Sequence, residues 1–266
     1  MIAIITKFFI KKFKTLNVIH IINGALVAIY ALTFPMLATQ QETLSVFIKG
    51  MPEGFIKAFS LDTVSMITFE GYLATKHFTP IWIVILLVIA IPAGTFIGKA
   101  VDNNTAELLF AQPISRFKAS ISVFLSGFLQ VLYFAVVSIL IIIPLCWVFN
   151  IEVHYSNYML LMIDSIGFSF FVTALSFALD SLFGDSGKVS GLLIVFMIGS
   201  YVVDLVSKII TDLANLKYLS IFHYFDPSRS LANGDLNYLY MFGFWLFGGL
   251  LLGFALWRFN KKDLTR

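Results

Sequence analysis

Residues 121–149, ISVFLSGFLQVLYFAVVSILIIIPLCWVF, form a run without a single Asp, Glu, Lys or Arg. A bilayer core about 30 Å thick takes roughly 20 mostly apolar residues per helix, so this run is read as a membrane span. Pro144 lies inside it; neighbouring helices and local backbone adjustment let a membrane helix keep such a residue as a kink. The chain around it agrees. It has 266 residues, 59% of them hydrophobic and 12% charged, against about 25% charged in soluble domains. Its mean hydropathy is +0.91. The expected fold class is an all-α membrane protein.

Working outward, five further segments are apolar and long enough to span: 18–37, 80–98, 158–179, 189–210 and 238–257. Two of them carry acids, Asp164 in the fourth span and Asp204 in the fifth. Orientation follows from Lys and Arg, which favour the cytoplasmic side. Twelve fall on one side: Lys7, Lys11, Lys12 and Lys14 before the first span, Lys99, Arg116 and Lys118 between the second and third, Lys188, and Arg258, Lys261, Lys262 and Arg266 at the end. Six fall on the other, three of them in the long 38–79 loop. Both termini are therefore expected in the cytoplasm. A net charge of +3 gives no argument for nucleic acid, and the single Cys146 excludes an intrachain disulfide.

Before the first span, Lys7, Lys11 and Lys14 recur at helical spacing, with Phe9, Phe13 and Leu16 each two positions later, about 200° around a helix. Residues 1–17 are expected as an amphipathic helix lying at the membrane surface; the plainer alternative is an extension of the first span. The basic arm and the length of the apolar run speak against a cleavable signal peptide. The outer loop 38–79 offers two short helices, near 53–59 and 68–74, with Met51, Phe55, Phe59, Met66 and Phe69 as an apolar cap or a membrane-surface contact.

Immediately before the opening run stands a compact polar segment, VDNNTAELLFAQPISRFK, residues 101–118. Asn104 is placed to cap a short helix and Glu107 to bond back to it. Pro113 stops that helix and Ser115 caps the next. Leu108, Leu109 and Phe110 are consecutive, so one helix cannot turn all three to its own buried side, and exposed apolar groups rimmed by polar ones mark contact sites.

The residues Thr105, Glu107, Leu108, Leu109, Pro113, Ser115 and Arg116 resemble the cytoplasmic signature of the type-2 permease family of ATP-binding-cassette (ABC) exporters, with Asn104 where the family has glycine. The resemblance extends less specifically to the basic N-terminal arm, six spans, a polar outer segment before the last span and the charged ending. It implies that 101–118 carries a coupling helix docking on a cytoplasmic ATPase subunit, through Thr105, Glu107, Leu108, Leu109, Pro113 and Arg116. It further implies two ATPases, which hold the ATP and Mg, and a second permease chain, with no cofactor or catalytic residue in this one.

Asp164 and Asp204 are the ionisable residues placed well inside expected spans, and intramembrane acids are functional candidates by default. Asp164 lies near the outer end of its span, within reach of the interface. Asp204 precedes Lys208 by four positions, the favourable order for an ion pair on one helix face. A pathway contact and a structural pair are both open for it. Gly184–Val189 lacks the spacing of a phosphate loop and reads as a tight turn, and four scattered His residues without a second Cys give little support for a metal. Two other function classes stand beside the transport subunit: a polytopic membrane enzyme, which needs facing catalytic groups, and a stand-alone ion-coupled carrier, for which no inverted repeat is visible.

Overall fold

The computed structural model describes residues 2–40, 43, 46, 48–58, 68–103, 105 and 115–261. Its described elements are helical: α1 (Ile2–Ala38), α2 (Glu53–Ala58), α3 (Phe69–Leu73), a π-helical turn (Ala74–Trp82), α4 (Ile83–Gly94), α5 (Phe96–Asp102), α6 (Arg116–Val148), α7 (Tyr155–Phe183), α8 (Ser186–Ile209), two 3-10 segments (Thr211–Leu219 and Ile221–His223), α9 (Pro227–Ala232) and α10 (Tyr238–Lys261). Among the described residues, six helices are long and apolar enough to cross a membrane: Lys12–Leu37, Phe69–Gly94, Arg116–Val148, Tyr155–Phe183, Ser186–Ile209 and Tyr238–Lys261. The chain is a polytopic membrane protein.

The second span differs from the sequence reading at both of its ends, and the first helix shows no break at residue 17. The first helix runs unbroken from Ile2 to Ala38, so nothing separates residues 2–17 from the span that follows. The second span begins at Phe69 rather than residue 80, taking in eleven residues assigned to the outer loop. Hydropathy hides this extension because Glu70, Thr75, Lys76 and His77 interrupt it, yet Glu70 and His77 are buried. Thr68 caps its start, accepting the Gly71 N–H at 3.2 Å. Pro80 is accommodated in the π-helical turn, where the Thr79 hydroxyl donates to the Ala74 carbonyl at 2.8 Å. At its other end the span stops at Gly94 instead of running through Gly98: Thr95 leaves helical geometry three residues after Pro92, and α5 starts anew.

α7 is the central helix, packed by α4, α6, α8, α9 and α10. α1 lies along α6 and runs parallel to it, with Tyr133 donating to Asn17 Oδ1 at 2.8 Å and His20 3.3 Å from the Ser138 hydroxyl. Lipid tails are as apolar as Leu, so burial alone does not hold membrane helices together; close packing and interhelical hydrogen bonds do. The core shows both. Trp82 stacks on Phe134 at 4.9 Å, and Phe168 on Phe225 at 4.3 Å. Glycine brings backbones together: a Cβ at Gly94 would stand 2.6 Å from the Thr173 carbonyl of α7, and one at Gly127 2.6 Å from the Ala93 carbonyl.

The turn between α7 and α8 is tight, as its sequence suggests. Gly184 takes φ 65°, the left-handed conformation that glycine adopts without penalty, and the Asp185 carboxylate accepts the Lys188 N–H at 2.9 Å to cap α8. Ser115 caps α6 through the Lys118 N–H at 3.3 Å. α5, this turn and the start of α6 share one end of the bundle. The α3 start, the entry to α7, the 3-10 segments and α9 share the other.

Candidate functional site

Of the six residues assigned to the coupling segment, Glu107, Leu108, Leu109 and Pro113 lie outside the described residues. Thr105 and Arg116 frame the segment. Thr105 closes α5, its N–H donating to the Ala100 carbonyl at 2.7 Å and its hydroxyl to the same oxygen at 3.2 Å. Arg116 is exposed as the first residue of α6.

The stem on which this segment stands is fastened to the rest of the bundle. Asp180, near the end of α7, is fully buried and accepts the Gly98 N–H of α5 through Oδ2 at 2.7 Å. One turn further, Asp102 Oδ2 accepts both the backbone N–H of Ser186 at 3.1 Å and its hydroxyl at 2.8 Å. Both ties matter geometrically. The break at Thr95 would otherwise let α5 swing free of the second span, and the two aspartates bind it instead to the α7–α8 turn. Lys99 lies between them, half-buried; burial, then the nearby Lys12 ammonium, holds its pKa below the ordinary lysine range, with Asp180 opposing. Sequence reading missed Asp180 because it stands one residue past the expected span, though a carboxylate in the run LSFALDSLF is itself a signal.

The acids at the opposite end are gathered by the segment before the last span. Asp164 is enclosed by protein: it is 5% exposed, and the hydroxyl of Ser230 on α9 donates to its Oδ2 at 3.4 Å. The Asp204–Lys208 pair forms, at 2.7 Å, with Asp204 buried. Asp226 caps α9 by accepting the Ser228 N–H at 3.0 Å, and Arg229 lies over the Tyr240 ring. α9 thus places Asp226 and Ser230 between the two span acids.

The segment is itself pinned to α8. Ser220 donates to the Ser200 carbonyl at 2.8 Å, and the Ser200 hydroxyl accepts the Ile221 N–H at 2.9 Å. That fixes Phe222 and Phe225 as a wall. Between this wall, α8 and the π-helical turn lies a small pocket with a cavity volume of about 20 Å³, room for about one water, lined among others by Thr79, Tyr201, Asp204, Phe222, Phe225 and Asp226. His223 stands beside Tyr218, Tyr224 and Tyr240. Burial, then Lys217, keeps its pKa below the ordinary imidazole value.

A third polar site was not foreseen. Glu70, buried in the second span, accepts the His154 backbone N–H at 2.6 Å and lies 3.2 Å from its ring Nδ1. It thereby fixes the entry of α7. Comparison of the chain with family models, with curated proteins and with solved structures returned no match.

Proposed function

We propose that this chain is the membrane permease subunit of an ABC exporter in a bacterial plasma membrane, with both termini in the cytoplasm. Two cytoplasmic ATPase subunits bind ATP and Mg and hydrolyse the nucleotide, a second permease chain completes the pathway, and this chain does no chemistry of its own. A hydrophobic or amphipathic cargo, such as a peptide, a lipid or an antibiotic, passes between the permeases.

The observation that carries this reading is the polar segment with Thr105, Glu107, Leu108, Leu109, Pro113 and Arg116, set between α5 and α6 on a stem tied by Asp102 and Asp180. A docking element must transmit force, and a segment joined to freely hinged helices would not. Here a push on the segment reaches the second span through α5, the third through α6, and the fourth and fifth through the two aspartate ties. Spans two and three are also joined by the close approach of Gly127 to Ala93, so they move together.

The test is co-purification from native membranes of the unchanged chain and of a Glu107→Arg, Leu109→Asp double variant, with membrane insertion of both checked by protease protection. An ATP-hydrolysing subunit is expected with the unchanged chain and not with the variant. If neither brings down an ATPase, the permease reading fails.

A further inference from the structure

We infer that Asn233 is a site of spontaneous deamidation, at which the chain's own backbone and a water molecule convert the side-chain amide to a carboxylate. The inference concerns the covalent chemistry of this chain and holds whether or not the chain works with an ATPase.

Asn233 and Gly234 form the turn that ends α9. Gly234 takes φ 65°, and the Asp235 N–H closes the turn by donating to the Arg229 carbonyl at 3.2 Å, a glycine-centred helix stop. Asn233, Gly234 and Asp235 are all exposed. Among the described residues, neither the Asn233 amide nor the Gly234 N–H has a hydrogen-bond partner. Electrophile and nucleophile are thus free and on adjacent residues, and glycine has no Cβ to obstruct the ring they form.

The reaction balances without an oxidant or reductant. The Gly234 nitrogen attacks Asn233 Cγ and closes a succinimide ring; the bond from Cγ to the side-chain nitrogen breaks, and that nitrogen leaves as ammonia with the proton of the Gly234 N–H. Water then adds to one imide carbonyl, the C–N bond there breaks, and the nitrogen regains a proton. Opening at the side-chain carbonyl gives aspartate. Opening at the main-chain carbonyl gives isoaspartate, with the side-chain methylene inserted in the backbone. Either product carries a new negative charge.

The chain holds its own control. Asn23–Gly24 is the same dipeptide, but it lies inside α1 with Asn23 1% exposed, and helical geometry directs the Gly24 N–H along the helix axis rather than toward Cγ. Sequence makes the two pairs equal; the fold separates them. The change at position 233 is also felt by its neighbours. A Cβ at Gly234 would stand 2.9 Å from Asn157 Oδ1 of α7, and Asn157 Nδ2 donates to the Leu231 carbonyl at 2.9 Å. A longer, charged main chain pressed on these contacts should loosen the end of α9, the helix that brings Ser230 to Asp164.

The full-length chain in phosphatidylcholine nanodiscs is aged at pH 8.5 and at pH 6, and its peptides are mapped by electron-transfer fragmentation, which separates isoaspartate from aspartate. Deamidation at position 233 is expected, with isoaspartate among the products, and faster at the higher pH because the attacking nitrogen must lose its proton. Position 23 should react roughly tenfold or more slowly, its rate limited by opening of the helix. In peptides cut from the chain before ageing, the two positions should react alike. Asn233→Gln, whose ring closure is slower, should stay intact. Amide hydrogens of residues 229–236 should exchange several-fold faster in the aged unchanged chain than in equally aged Asn233→Gln; equal exchange would overturn the loosening of α9. An intact position 233 in the folded chain, or equal folded-chain rates at 233 and 23, overturns the inference.

Discussion

His223 shows how one side chain reports on the segment that lines the pocket beside α8. Burial and the neighbouring Lys217 hold its pKa below the ordinary value of about 6.5, so the packed imidazole stays neutral where the opened segment would take a proton. The sign follows from linkage: packing of 211–226 is fully favoured above pH 6.5, and as pH falls below that value the open form alone gains a proton, so stability is lost. The limit is a tenfold rise in the opening equilibrium per pH unit, about 1.4 kcal/mol. Amide hydrogen exchange of residues 219–226 between pH 7.5 and 5.5, corrected for intrinsic rates, should show this loss of protection. His223→Gln should flatten the profile while leaving protection at pH 7.5 nearly unchanged.

Helix contacts explain why some spans are fixed and others are open to the surroundings. Gly94 and Gly98 share a small-residue spacing with Gly249 and Gly253, but their environments differ. Gly94 presses on α7 and Gly98 on Asp180, whereas nothing stands within 4 Å of a Cβ at Gly191, Gly249 or Gly253. Gly94→Ala and Gly127→Ala should each lower stability by about 1–3 kcal/mol, the usual cost of forcing atoms into a packed contact, because a backbone carbonyl at 2.6 Å cannot rotate away. Gly191→Ala and Gly253→Ala should stay within about 0.5 kcal/mol, read as thermal midpoints of the purified chain. Sequence spacing alone could not separate these pairs. It gives the right residues for a close approach and is silent on which face meets a neighbour. The same limit explains the second span. Its apolar half was legible, while the stretch from Phe69 to Thr79 was assigned to the outer loop, with a short helix near 68–74, since its polar residues are satisfied or enclosed by partners far along the chain, such as His154 for Glu70. Ser115, whose capping partner lies three residues away, was legible for the converse reason; Asp185, which caps α8 at the same spacing, stands in a stretch read only as a tight turn. Asp180, one residue past the expected span, pairs with a backbone N–H 82 residues distant, so the sequence marks the carboxylate but not its contact.

Across the whole molecule, the two ends are joined by α7, which holds Asp180 at one end and Asp164 at the other. The aspartate ties decide whether displacement of α5 is felt by this helix. A charge-assisted bond such as that from Gly98 to Asp180 contributes about 1.5–3 kcal/mol, and the exposed Asp102–Ser186 contact about 1 kcal/mol. Removing even 2 kcal/mol from one state of a two-state equilibrium shifts its populations about 30-fold. An Asp102→Ala, Asp180→Asn chain should therefore keep its six spans yet release the stem. Spin labels at the exposed positions 103 and 188 should report a single short distance in the unchanged chain and a broad distribution in the variant. An unchanged distribution would mean that the break at Thr95 is stiff without the ties. On the permease reading, the released stem has a further consequence. The variant keeps Glu107, Leu108 and Leu109, so it should still capture the ATPase, but ATP binding should no longer alter the environment of a fluorophore at Tyr201, because docking and transmission reside in different residues.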